Sequence, residues 1–310
     1  MSPVGLVLVV VVPALLLLAY GLIKTHRPLL REGLWAGFVA GVLVAIAVIS
    51  WELALEWLLP LRELPPVADA AGRAMLIAAI PEEGLKFCAL LLVVRRFVYP
   101  GDLADVILTS LGVALGFAVM ENAGYVIRAS AVSMAGGGVV ALVRSVSAVP
   151  LHVICGLVMG ALTAAAMRDA HVGGQTGSLR LVPALLLPVL IHGAYDFLLM
   201  LRRRDPGAAW TFQALPLVMA ASVAFAIMLC NVMLRRARQT DWSTTPGGSA
   251  APAVLGIVLL LIGLLMVGVM LLAPGMLAKQ AMAIYCVVPL MFGLDLLWTA
   301  IGRTGRRAWA

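Results

Sequence analysis

The sequence predicts an all-α protein, a polytopic transmembrane bundle of about nine helices, or eight if one apolar segment is re-entrant. Three observations predict it. Hydrophobic residues fill 63% of the 310 positions and charged residues only 12%, and the mean hydropathy is +1.07, a balance outside the range of soluble domains. The apolar residues are gathered into runs of roughly 20, the length that carries a helix across a bilayer. The basic residues lie mostly between those runs. The formal net charge of +7 is therefore a property of membrane loops, and the expected partner is the lipid bilayer rather than nucleic acid.

The apolar segments run in order near Val4–Ile23, Leu34–Leu59, Ala71–Val94, Leu103–Val126, Val139–Met167, Leu181–Leu201, Ala208–Leu234, Ala253–Ala273 and Ala281–Ile301. The first has no basic residue before it and no small-residue cleavage site before Lys24, so it reads as a retained helix rather than a signal peptide. Loops are short, which makes sequential segments helix-loop-helix neighbours. Gln239 to Pro252, rich in Ser, Thr, Gly and Pro, is the one linker-like stretch. Lys24, Arg27, Arg31, Arg95, Arg96, Arg168, Arg180 and the arginines near both Met233 and the C-terminus outnumber those on the other side, which favours the N-terminus outside and the C-terminus in the cytoplasm. The Arg202-Arg203-Arg204 cluster runs against that bias.

The four cysteines, Cys88, Cys155, Cys230 and Cys286, fall inside apolar runs without paired spacing and read as small buried hydrophobes. Glu52 and Glu56 sit between Trp51 and Trp57 and read as a wet membrane interface. Asp295, alone in the last segment, reads as a helix contact.

The stretch that breaks the apolar pattern most sharply is Pro81-Glu82-Glu83-Gly84-Leu85-Lys86. Charges at mid-membrane depth each cost several kcal/mol unless paired or hydrated. On a helix Lys86 faces both Glu82 and Glu83, yet one ammonium leaves an excess negative charge. Three further segments carry buried polar groups. The fourth has Glu121-Asn122. The fifth has Arg144 and, within about 80° of it on one continuous helix, His152, followed by the small residues Gly156 and Gly160 that permit close helix approach. The sixth has His192 and Asp196, four apart on one face. Acids and imidazoles on four successive helices are expected to converge on one polar cavity.

Several catalytic templates are absent, including a His-Glu-x-x-His helix, a phosphate-binding glycine loop and a glycine-flanked intramembrane serine. Tyr195-Asp196 and Gly293-Leu294-Asp295 only faintly match an aspartyl pair, because Leu294 stands where that pattern needs glycine. The remaining groups suit general-base hydrolysis. A carboxylate buried beside a like charge can take a proton from water, and imidazoles, an amide or a guanidinium can stabilise the oxyanion. Glu82, Glu83 and Glu121 supply bases; His152, His192 and Asn122 supply donors, with Lys86, Arg144 and Asp196 in support. Glu82 and Glu83 project about 100° apart, so one is expected to be the base and the other to hold Lys86; Glu82 is the favoured base.

Four ordered motifs, Glu82-Glu83-x-x-Lys86, Gly116-Phe117-x-x-x-Glu121-Asn122, Arg144 with His152-x-x-x-Gly156, and His192-Gly193-x-Tyr195-Asp196-Phe197, resemble those of the PrsW-type glutamic intramembrane proteases, relatives of the CAAX prenyl endopeptidases. The resemblance covers about Ala71 to Leu201 and the two helices before it. It implies endoproteolysis of a membrane-anchored substrate, such as an anti-sigma factor, by a multi-pass protein of the cell membrane. On that basis residues 1–205 are the protease core and 206–310 are additional transmembrane helices. Where the family shows an acidic residue and then Asp-Gly, this chain reads Asp102-Leu103-Ala104-Asp105-Val106. Lys86 and Arg144 would repel a divalent ion, so no cofactor is expected; the alternative is a zinc site drawn from Glu82, Glu121, His152 and His192. A proton- or ion-coupled transporter and a non-catalytic membrane scaffold or sensor are the competing functions.

Overall fold

The computed structural model describes residues 28–97, 103–171 and 181–239, with scattered residues ahead of position 16. Among the described residues the chain is all helix. The expected segments Ala253–Ala273 and Ala281–Ile301, positions 240–252 of the linker, Asp295, every basic residue beyond Gln239, and Lys24, Arg27 and Arg180 lie outside that range. Four helical stretches are long and apolar enough to cross a membrane, Glu32–Leu58, Asp105–Val132, Met134–Met167 and Val182–Arg204. The protein is a multi-pass membrane protein. The chain separates into two compact units, Met1–Ala208 and Ala209–Ala310.

In the first unit, α1 (Pro28–Leu58) and α2 (Pro66–Gly72) are joined by a short 3-10 turn, Leu61–Glu63. Without a break α2 widens into a π-helical stretch, Arg73–Ala79, and returns to α geometry as α3 (Ile80–Phe97). The N–H of Ile80 reaches back to the carbonyl of Met75, five residues before it. Pro81 explains the widening, because it brings no N–H to the ladder and its ring crowds the carbonyl four residues earlier. A wider turn gives that ring room. The glutamate pair thus begins on a distorted turn rather than on regular helix.

The next helix, α4 (Leu103–Val132), is the centre of the unit and touches α1 on one side and α6 on another. Its approach to α1 is backbone against backbone. A Cβ at Gly41 would run into the Val113 carbonyl oxygen, and one at Gly116 would run into that of Phe38. Gly37 and Gly112 meet Thr109 and Leu34 in the same way. Both helices therefore carry a small-xxx-small pair. Because the clashing atoms are carbonyls rather than flexible side chains, Gly116→Val is expected to cost about 3 kcal/mol or more, seen as a large fall in the unfolding temperature in detergent. An unchanged transition would show that the two helices do not meet there.

The expected single helix over Val139–Met167 is two, α5 (Met134–Val146) and α6 (Ala148–His171). Ser147 breaks it, leaving helical geometry at φ −120°, ψ −62° while its N–H still reaches Val143. Its hydroxyl also donates to the Val143 carbonyl, at 2.7 Å, a local bond that competes with the helix ladder. Pro150 then sits in the first turn of α6, where a missing N–H costs nothing. Gly156 and Gly160 of α6 lie against Ala114, Ser110 and Ile107 of α4, and the Ser110 hydroxyl donates to the Gly156 carbonyl at 2.7 Å.

The unit closes with α7 (Val182–Arg204). Gly193 lets it settle on the π stretch, since a Cβ there would overlap the Met75 sulfur. In the second unit the described residues form α8 (Thr211–Gln239), whose Gln213–Ala226 portion is apolar.

Candidate active site

Helices α3, α4, α6 and α7 bring the polar motifs together around one core. Glu82, Glu83, Lys86, Asn122, His152 and His192 are all buried. The Lys86 ammonium lies 2.8 Å from Glu83 Oε1 and 3.2 Å from Glu82 Oε2, and 3.1 Å from His152 Nδ1. It also stands over the Phe117 ring, 3.7 Å from the centroid, a cation–π contact in a desolvated place. Since an ammonium has only donors, His152 Nδ1 must accept. That leaves Nε2–H to donate to Glu121 Oε2, at 2.9 Å. One tautomer of His152 is thereby fixed.

Glu121 is claimed a second time. Arg144 Nη2 lies 2.6 Å from the same Oε2, the Arg144 Nε–H donates to Asn122 Oδ1, and its guanidinium stands 3.8 Å from the Tyr125 ring centroid. Arg144 and His152 thus come from two helices rather than one and still meet at one carboxylate. The His192 ring edge faces His152 with centroids 5.2 Å apart. Its Nδ1 lies 2.8 Å from Glu83 Oε1, and its Nε2 lies 3.4 Å from Asp196 Oδ2.

These groups do not share one exposure. A cavity of about 610 Å³ is lined by Glu82, Glu121, Arg144, His152, His192 and Asp196. Glu83, Lys86 and Asn122 are absent from its wall and stay at 0–2% exposure. Asn122, expected to donate to an oxyanion, instead sits behind the wall and holds Arg144. His152 has both ring nitrogens engaged. Of the adjacent glutamates, Glu82 reaches the cavity and Glu83 is sealed behind it.

The ligand atoms of Glu82, Glu83, His152 and His192 all lie within 4.8 Å of one another. Two carboxylates and two imidazoles at that spacing fit a divalent ion such as zinc, and Glu83 Oε2 has no hydrogen-bond partner among the described residues. The set differs from the expected one. Glu83 takes the place of Glu121, because Arg144 and His152 have drawn Glu121 aside. The cation already among these donors is Lys86, which reaches three of the four.

Glu52 and Tyr125 are among the cavity residues that the sequence reading missed. Glu52 was expected at a wet interface, yet it is only partly exposed and lines the cavity with Tyr125 and Tyr195. The flanking tryptophans pointed to the interface, whereas the four-residue spacing of Glu52 and Glu56 places both on one helix face, the available signal. Glu56 reaches Arg73 at 2.9 Å, and Arg73 also reaches Asp69 at 2.7 Å.

The chain is similar in sequence to known proteins. The profile described as PrsW family intramembrane metalloprotease matches residues 31–236. "Protease PrsW" of Shouchella clausii (strain KSM-K16) is 30% identical over 198 residues, spanning 63% of this chain and 84% of that protein. "Protease PrsW" of Geobacillus kaustophilus (strain HTA426) is 32% identical over 173 residues, 54% of this chain and 67% of that protein. The Bacillus subtilis (strain 168) "Protease PrsW" is 34% identical over 119 residues, 38% of this chain and 50% of that protein. No solved structure matches significantly.

Proposed function

The chain belongs to the PrsW family of intramembrane proteases, and from that premise we propose that it cuts a peptide bond of a membrane-anchored protein, such as an anti-sigma-type regulator, with Glu82 activating the attacking water. One observation carries the assignment within the pair: Glu82 lines the cavity and Glu83 does not. Glu82 takes a proton from water, the oxygen attacks the carbonyl carbon, and the tetrahedral oxyanion is stabilised by the Arg144 guanidinium and by the His192 Nε2–H, which Asp196 holds only loosely at 3.4 Å. Glu82 then returns the proton to the departing amine. Glu121, Asn122 and Tyr125 hold Arg144 in place, and Glu83 with Asp196 orients His192. Lys86 keeps the paired carboxylates close while leaving one excess negative charge for the proton transfer.

Glu82, Glu83, His152 and His192 are the residues that would hold a divalent ion, and such an ion would supply Lewis-acid polarisation of the water or the carbonyl. The fold division proposed for this activity is a catalytic portion over 1–205 and accessory helices over 206–310, with the N-terminus outside and the C-terminus in the cytoplasm. A reporter active only in the cytoplasm, fused after Ala310, is expected to be active; silence would reverse the orientation.

The functional test uses purified full-length protein in liposomes with a panel of single-span peptides. Cleavage of a subset, without peptide-linked proton flux, is the expected result. Proton-linked uptake without any cleavage would replace the protease by a transporter.

A further inference from the structure

The same cavity carries arginines that the reaction does not use. Arg62, Arg128 and Arg203 all line it, and all three are exposed, which places them at the opening while Glu82 and His192 form the floor. None of the three is ion-paired with a carboxylate among the described residues. Their neighbours differ. Arg73 is taken by Glu56 and Asp69. Arg204 reaches Asp69 at 3.1 Å and donates to the Arg62 carbonyl at 2.7 Å, tying the end of α7 to the turn after α1. Arg128 stands 4.8 Å from the Tyr125 ring centroid. The arginine run that breaks the charge bias along the sequence therefore forms part of a collar, drawn from α4, α7 and the Leu61–Glu63 turn. A second cavity, sharing Leu53, Glu56, Arg62 and Arg73 with the first, continues the cleft toward Trp57 and Pro60.

We propose that this collar reads an acidic residue or pair in the substrate, flanking the bond to be cut. The inference rests on the protease reading and names the substrate class that reading leaves open. Unpaired guanidiniums facing into a cleft are suited to bidentate capture of carboxylates. A substrate chain that reaches Glu82 through this opening must pass them. The spacing sets the register. Arg128 is seven residues beyond Glu121 on α4, about 10 Å along the axis, and Arg203 is eleven beyond His192 on α7, about 16 Å. An extended chain advances about 3.3 Å per residue, so the acidic position lies about three to five residues from the scissile bond.

The test compares single-span peptides carrying an Asp-Glu pair at that distance with their Asn-Gln analogues. Wild type, Arg128→Gln and Arg203→Gln are assayed in liposomes of zwitterionic lipid and in liposomes containing anionic lipid. Two readouts are taken: KM for cleavage, and binding of the fluorescent peptides to Glu82→Gln protein, which needs no turnover. In wild type the amide analogue is expected to raise KM about fivefold, an effect that salt weakens. The arginine variants are expected to raise KM for the acidic peptide to the same level and leave the amide peptide unchanged. Equal KM and equal binding for both peptides in wild type would overturn the proposal. So would arginine effects seen only with anionic lipid and indifferent to peptide charge, which would assign the collar to headgroups. If no peptide is cleaved but the acidic one binds about fivefold tighter in an Arg128- and Arg203-dependent way, the protease reading fails and the collar stands.

Discussion

Glu82→Gln is expected to lower kcat for a single-span substrate by about 10²–10⁴-fold, the usual range for losing a positioned general base, with KM nearly unchanged. The fold should tolerate it. Glutamine keeps the volume, and the Lys86 ammonium retains Glu83 at 2.8 Å, so the buried charges become one positive and one negative. The unfolding temperature is therefore expected to hold or rise. Glu83→Gln provides the contrast. Glu83 Oε1 serves both Lys86 and His192 at 2.8 Å from a fully sealed position, so its loss is expected to lower stability and activity together. Equal losses of rate with equal stability in the two variants would remove the distinction between a base and its support.

Lys86→Met is expected to carry the largest stability penalty, about 3–5 kcal/mol, because it leaves two carboxylates without their cation in a buried place. His152 Nδ1 loses its donor in the same step. Denaturant or thermal unfolding in detergent reads the effect. A double-mutant cycle with Glu83→Gln should recover part of it, since removing one carboxylate relieves the excess charge. Wild-type stability in Lys86→Met would mean that the ammonium is not the group holding the pair.

Much of this site was legible because charged residues in an apolar chain announce themselves. Glu82, Glu83, Lys86, Glu121, His152 and His192 stand out against 63% hydrophobic residues, and helical spacing alone sets Lys86 over both glutamates and His192 over Asp196. Backbone detail was less legible. The break at Ser147 depends on a single residue leaving helical geometry, and the apolar pattern runs straight through it. The π widening before Pro81 had a signal, the proline itself, though nothing in periodicity says whether a helix kinks, ends or widens there. The inward or outward facing of polar residues was also hidden. Asn122 lies next to Glu121 in sequence yet behind the cavity wall, and Glu52 lies between tryptophans yet on the wall. Those outcomes depend on which face of α1 and α4 the glycine contacts at Gly41 and Gly116 turn toward each other, which only the packed bundle determines.

We propose that Glu82, the carboxylate opening to the cavity, drives hydrolysis of a membrane-anchored peptide bond. The most direct test is the mass of the products when one single-span substrate is incubated in liposomes with equal amounts of folded wild-type or Glu82→Gln protein. Wild type should yield two fragments whose masses add up to the substrate plus one water, and Glu82→Gln should yield none above background. The same two fragments at the same rate from Glu82→Gln would remove Glu82 as the base, and intact substrate with the wild type across the whole panel would remove the proteolytic activity.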